Sequence, residues 1–225
     1  MFEKGVDWPL IIMNTYLLNY TSTIVVRGLA LGLVLTVGGV PLLAGSVVLV
    51  DAKTRNGSFE ASDKGVPAWT VVQADCEAAV TNTPPGDATH GKRCVALHSV
   101  VSSARSAFGY IVNVIPLKEA NGPHFELEWT AWSAEKNPFQ SRAAYLVFFR
   151  DKQVVQESKA PIDQGPISTK PQKFRVVHTL PATGWDHVEL RLILMRHGQP
   201  GTVADGFVDA VTLRQLKELP RKTGS

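Results

Sequence analysis

Glu126 and Glu128 stand two residues apart in the run HFELEWTAW, residues 124–132. On a strand, side chains two apart share a face, so the two carboxylates would lie side by side. Paired carboxylates are what glycoside hydrolysis requires. The same pair on a solvated strand face forms only cross-strand ion pairs. Trp132 shares that face, and Arg175, Glu189 and Arg191 are expected on neighbouring strands. Glu126, Glu128 and Trp132 thus share one face of the strand. Trp69, Trp129 and Trp185 read as core. His90, His98, His124, His178, His187 and His197 show no metal-ligand spacing. The chain has no GxSxG, HExxH, P-loop or GxGxxG run. The expectation is a protein that is not an enzyme, with no catalytic residue.

Two cysteines, Cys76 and Cys94, belong to no CxxC pair. In an oxidising compartment, two cysteines around a turn-rich loop read as one disulfide; the alternative is two buried thiols. Asn56-Gly57-Ser58 is formally a glycosylation sequon, read here as coincidence.

The elements that must position these residues are short and β-rich. Strands are expected near residues 69–73, 94–100, 108–115, 124–132, 144–149, 153–157, 173–180, 187–195 and 207–216, separated by Gly, Pro, Asn and Asp clusters. Period-two alternation puts Phe125, Leu127, Trp129 and Ala131 on one face of the fourth strand. It does the same for Val188, Leu190, Leu192 and Leu194 of the eighth. Asp151-Lys152 suits a tight hairpin. No long amphipathic helix intervenes, so the domain is all-β, a sandwich or jelly roll.

Before it, Gly28 to Val50 carries no charge. As a helix it would be about 34 Å long, enough to cross a hydrocarbon core of about 30 Å. Gly28, Gly32, Thr36 and Gly39 would share one face and let a neighbouring helix approach closely. Val6 to Tyr20 is shorter and holds Trp8, Tyr16 and Tyr20, as an interfacial segment does. The expected organisation is an interfacial N-terminal segment (1–27), a transmembrane helix (28–50), a linker (51–55), an extracytoplasmic sandwich (56–216) and a basic tail (217–225). The net charge is +3, and the basic residues cluster only in the tail. That excludes nucleic acid as the expected partner.

Asn56-Gly57-Ser58-Phe59-Glu60, followed by Val66-Pro67-Ala68-Trp69, resembles the opening of galactose-binding-like jelly rolls. These include the carbohydrate-binding modules attached to glycoside hydrolases. Phe207-Val208-Asp209-Ala210-Val211-Thr212-Leu213 resembles their closing strand. The two motifs bracket roughly Asn56 to Leu216. The resemblance implies that the first and last strands are neighbours. It also implies a glycan ligand, for which Glu126, Glu128 and Trp132 form the candidate ligand face, and, in many relatives, a structural calcium at positions matching Glu60 and Asp209. Ala210 replaces the second aspartate of the family pair, so the expectation is no cofactor.

The leading functional expectation is an accessory subunit of a bacterial membrane complex, respiratory, photosynthetic or a transport assembly. Its helix would pack among other transmembrane subunits and lipid in the cytoplasmic membrane, and its sandwich would bridge neighbours in the periplasm. The alternative is a membrane-tethered carbohydrate-binding module. A membrane-bound glycoside hydrolase using Glu126 or Glu128 ranks third.

Overall fold

The computed structural model describes residues 46–61, 66–71, 76–82, 91–101, 106–118, 121–157, 160–180 and 184–219. Among them the chain forms twelve strands: β1 (Ser46–Val50), β2 (Thr70–Val71), β3 (Cys76–Asn82), β4 (Arg93–Val100), β5 (Ser106–Pro116), β6 (His124–Ser133), β7 (Ser141–Arg150), β8 (Gln153–Glu157), β9 (Asp163–Pro166), β10 (Gln172–Thr179), β11 (His187–His197) and β12 (Val203–Leu216). They make two antiparallel sheets. One runs β10-β6-β12-β4-β3, with β1 also paired to β12. The other runs β2-β5-β11-β7-β8, with β9 also paired to β7.

Alternation dictates the layering. Phe125, Leu127, Trp129 and Ala131 of β6 face Val188, Leu190, Leu192 and Leu194 of β11, and all eight are buried. Each fully buried aliphatic of this size contributes about 1.5–3 kcal/mol of transfer free energy. Trp69, Trp129 and Trp185 lie in this core.

One buried ion pair, between β7 and β9 of one sheet, reaches across to the other. Trp129 of β6 donates its indole N–H to Asp163 Oδ2 at 3.0 Å. Arg142 of β7 donates to Asp163 Oδ1 at 3.1 Å and to Pro166 O at 2.7 Å. Its guanidinium sits 3.4 Å above the Phe174 ring of β10.

The glycine of the opening motif has a structural reason. Gly57 donates to Asp51 O at 2.7 Å and accepts from Val211 N at 2.8 Å. A Cβ there would lie 2.2 Å from Val211 O. The loop thus enters β12 where its register shifts between Asp209 and Thr212, beside Ala210 at φ 49°. Asn56 is buried, accepts from Ala61 N at 3.0 Å and donates to Pro67 O at 3.4 Å. Its amide therefore staples the loop. Phe59 is fully buried against Trp69, ring centroids 5.6 Å apart.

Three expectations need correction. The apolar run does not continue as helix to Val50, because Ser46–Val50 is β1, paired with Leu213–Leu216 of β12. Its three valines favour an extended backbone, and a short apolar run has no period that separates helix from strand. The sandwich therefore includes Ser46–Val50, and residues 51–55 are a turn within it, Asp51 Oδ1 accepting from Lys53 N and Thr54 N. Gly28, Gly32, Thr36, Gly39 and the segment Val6 to Tyr20 lie outside the described residues. Among those described, no helix is long and apolar enough to cross a membrane.

The third correction is the disulfide. Cys76 pairs with Ser99, and Cys94 with Thr81. The cysteines are thus five register positions apart, about 17 Å at about 3.4 Å per residue. An odd offset also puts them on opposite faces of the sheet. A disulfide needs Cα atoms within about 7 Å. Both cysteines are buried and unbridged, and burial pushes the Cys76 thiol up.

Candidate functional site

As alternation requires, Glu126, Glu128 and Trp132 all point away from the core, on the outer face of the β12 sheet. Arg175 of β10 stands opposite Glu128, and Arg214 of β12 opposite Glu126. Glu126 is 2% exposed. It accepts from Arg175 Nε at 2.7 Å and from Arg175 Nη2 on Oε1, and from Arg214 Nη1 at 3.1 Å on Oε2. Glu128 is held by Lys173 at 2.6 Å and Arg175 at 3.4 Å. Burial pushes its carboxyl up, but the hydrogen bond and charge of Lys173, with Arg214 and Arg175, more than offset this and hold it below the usual range. A general acid needs the opposite shift. Trp132 is 1% exposed and stacks on Phe207, centroids 5.1 Å apart and planes 23° from parallel. The predicted ligand face is thus a closed ion-pair network beside a ring with no free surface.

Glu189 and Arg191 lie elsewhere, on the outer face of the β11 sheet. Arg191 Nε and Nη2 donate to Glu189 Oε2 at 3.0 and 2.8 Å. Rings flank this pair. Phe108 and Tyr110 of β5 stand opposite Met195 and Ile193. Tyr145 and Phe149 of β7 stand opposite Arg191 and His187. All four rings are half-buried. Between them Val112, Ala143 and Val147 face the same way yet are buried. Phe149 stacks on His187 at 4.8 Å, 7° from parallel. His187 pairs through Nδ1 with Asp186 Oδ1. The Asp151 N–H, at 3.0 Å, and then His187 hold Asp186 below the usual carboxylate range.

Sequence reasoning missed these rings, although the signal was present. Phe108-Tyr110-Val112 and Tyr145-Val147-Phe149 alternate with the core residues of their strands.

For calcium, Glu60 Oε1 already accepts from Lys92 N and Arg93 N, both at 2.7 Å. Asp209 is fully buried, with Oδ1 accepting from Ala210 N at 2.6 Å. Among the described residues no three His, Cys, Asp or Glu side chains gather as a metal would need.

Comparison with known proteins gives fold likeness only. No family model matches the chain, and no curated protein matches it. Solved structures do. The CBM22-1 xylan-binding domain from Paenibacillus barcinonensis Xyn10C superposes at TM-score 0.53 and 12% identity, over 77% of this chain and 97% of that one. The CBM22-1-CBM22-2 tandem of the same protein gives 0.52 at 12% identity, over 80% of this chain and 48% of that one. An apo-form cyclase from Fischerella sp. gives 0.51 at 15% identity, over 78% of this chain and the whole of that one. The chain has the jelly-roll sandwich fold these proteins share, a fold that carries both carbohydrate binding and cyclisation.

Proposed function

We propose that the sandwich is a non-catalytic glycan-binding module whose ligand lies on the outer face of the β11 sheet. One observation carries the reading: four half-buried rings line the strand that holds the Arg191–Glu189 pair. Aromatic rings stack on the apolar faces of sugars, and a fixed guanidinium–carboxylate pair presents donors and acceptors to hydroxyls. Half-burial of the four rings restricts them before a ligand arrives, which lowers the ordering cost of binding. The likeness to the CBM22 domains supports this reading over the accessory-subunit expectation, whose helix face lies outside the described residues. Fold alone does not choose between binding and cyclisation. The engaged state of Glu126 and Glu128 argues against hydrolysis at that pair.

The test is a glycan array probed with the full chain, its Tyr145→Ala variant and its Arg175→Ala variant. Binding lost in Tyr145→Ala and retained in Arg175→Ala is expected. Absence of binding across the array, or loss only in Arg175→Ala, would remove the assignment.

A further inference from the structure

The rings on the β11 sheet are not scattered; they follow a line. Ordered by their partners along β11, Phe108 stands at Met195, Tyr110 at Ile193, Tyr145 at Arg191 and Phe149 at His187. The first two belong to β5, on one side of β11, and the last two to β7, on the other. The line therefore crosses β11 between Ile193 and Arg191, running obliquely over the sheet. Eight residues separate its ends, about 27 Å along the strand at about 3.4 Å per residue, and two strand spacings add about 10 Å across. Tyr110 and Tyr145, the nearest pair on opposite sides, are two residues and two strands apart, about 12 Å. A single pyranose ring does not span that distance.

The pairs along the line carry no net positive charge. At its centre the Arg191 cation is matched by Glu189, and at the Phe149 end the His187 ring pairs with the Asp186 carboxylate. The apolar Ile193 and Met195 lie along the other half.

Resting on the glycan-binding reading, we propose that the ligand is an uncharged glycan chain, several units long, lying obliquely across β11 from Phe108 to Phe149. It is neither a single sugar nor an acidic glycan. Tyr110 and Tyr145 each carry one end of the central segment, and Arg191 with Glu189 pairs with the hydroxyls between them.

The experiment is titration of the full chain with neutral xylo- and cello-oligosaccharides of one to six units, oligogalacturonides of the same lengths, and the corresponding monosaccharides. The expected result is affinity rising with length up to at least four units for one neutral series. Weaker binding is expected of its acidic counterpart. For the hexamer, Tyr110→Ala and Tyr145→Ala should each weaken binding about tenfold, the loss of one stacked ring. Tyr145→Leu keeps a large apolar side chain at that position and should lose the same, which separates lost stacking from lost folding. The length series needs no variant at all. A monosaccharide bound as tightly as the hexamer, or loss confined to one side of β11, would overturn the chain geometry while leaving glycan binding intact. Tighter binding of oligogalacturonides would overturn the charge assignment. No binding here or on the glycan array would remove the glycan reading, and this one with it.

Discussion

Replacing Asp163 with alanine should destabilise the protein more than any surface substitution. Its carboxylate receives the Trp129 indole N–H from one sheet and the Arg142 guanidinium from the other. The side chains of Arg142 and Asp163 are only 10% and 14% exposed. Removing one partner of a buried pair leaves the other charge uncompensated, about 3–5 kcal/mol. The orphaned indole N–H adds about 1–3 kcal/mol. Against this, Arg142 keeps Pro166 O and the Phe174 ring, and water can enter at the opened edge. A net loss of about 3 kcal/mol is expected, which for a domain of this size lowers Tm by about 6–12 °C. The assay is urea unfolding of wild type, Asp163→Ala, Arg142→Met and the double variant. Because the cost comes mainly from a stranded charge, the double variant should be more stable than Asp163→Ala alone. A loss in Asp163→Ala below about 1 kcal/mol would refute the reasoning. So would additive losses in the double variant, since the pair would then not be acting as a unit.

Other expectations follow from single side chains. Burial holds the His178 imidazole below its ordinary value. The unfolded chain therefore takes up a proton first as pH falls below about 6.5, and stability declines from there until the folded pKa is passed. Unfolding midpoints between pH 8 and 5 should show this slope, and His178→Phe should flatten it. Gly57→Ala, which drives a Cβ against Val211 O, should cost about 1–3 kcal/mol in chemical denaturation. Wild-type midpoints in that variant would mean the loop moves freely. Cys76 and Cys94 should both alkylate in denaturant without reductant, and neither should label quickly in the native state. A mass spectrum of the denatured, unreduced chain showing no alkylation would restore the disulfide.

Much of the fold was legible because the core strands are amphipathic. The inward set of β6 and of β11 follows directly from alternation, and both strands are long enough for the period to show. Where the sequence misled, pairing rather than propensity made the strand. β9 reads Asp-Gln-Gly-Pro and has almost no strand tendency, yet it pairs with Ser141–Ala144 of β7. β3 contains Glu77, Ala78 and Ala79, residues at home in helices, and it is extended because β4 offers it a partner. β1 was hidden inside an apolar run that fits two structures equally well. The site failed for a related reason. Alternation reveals which residues of one strand share a face but not which sheet the strand joins. Glu189 and Arg191 were therefore grouped with Glu126, though they lie on the opposite side of the sandwich. The burial of Trp132 depends on Phe207, a partner 75 residues away in the chain that only the β6–β12 register reveals.

The pairing of Ser46 with Leu216 has a mechanical consequence. Ser46 and Leu216 lie at the same end of one sheet, on adjacent antiparallel strands about 5 Å apart. A pull applied through the two flanking segments acts along the hydrogen bonds between β1 and β12 and loads them one pair at a time. The strands would peel apart like a zipper, giving way at low force, where a shear geometry would break all the bonds together. The other sheet, with the β7–β8 hairpin, lies outside that load path. A tether on both flanks would therefore strip β1 first and leave the ring-lined face of β11 intact longest.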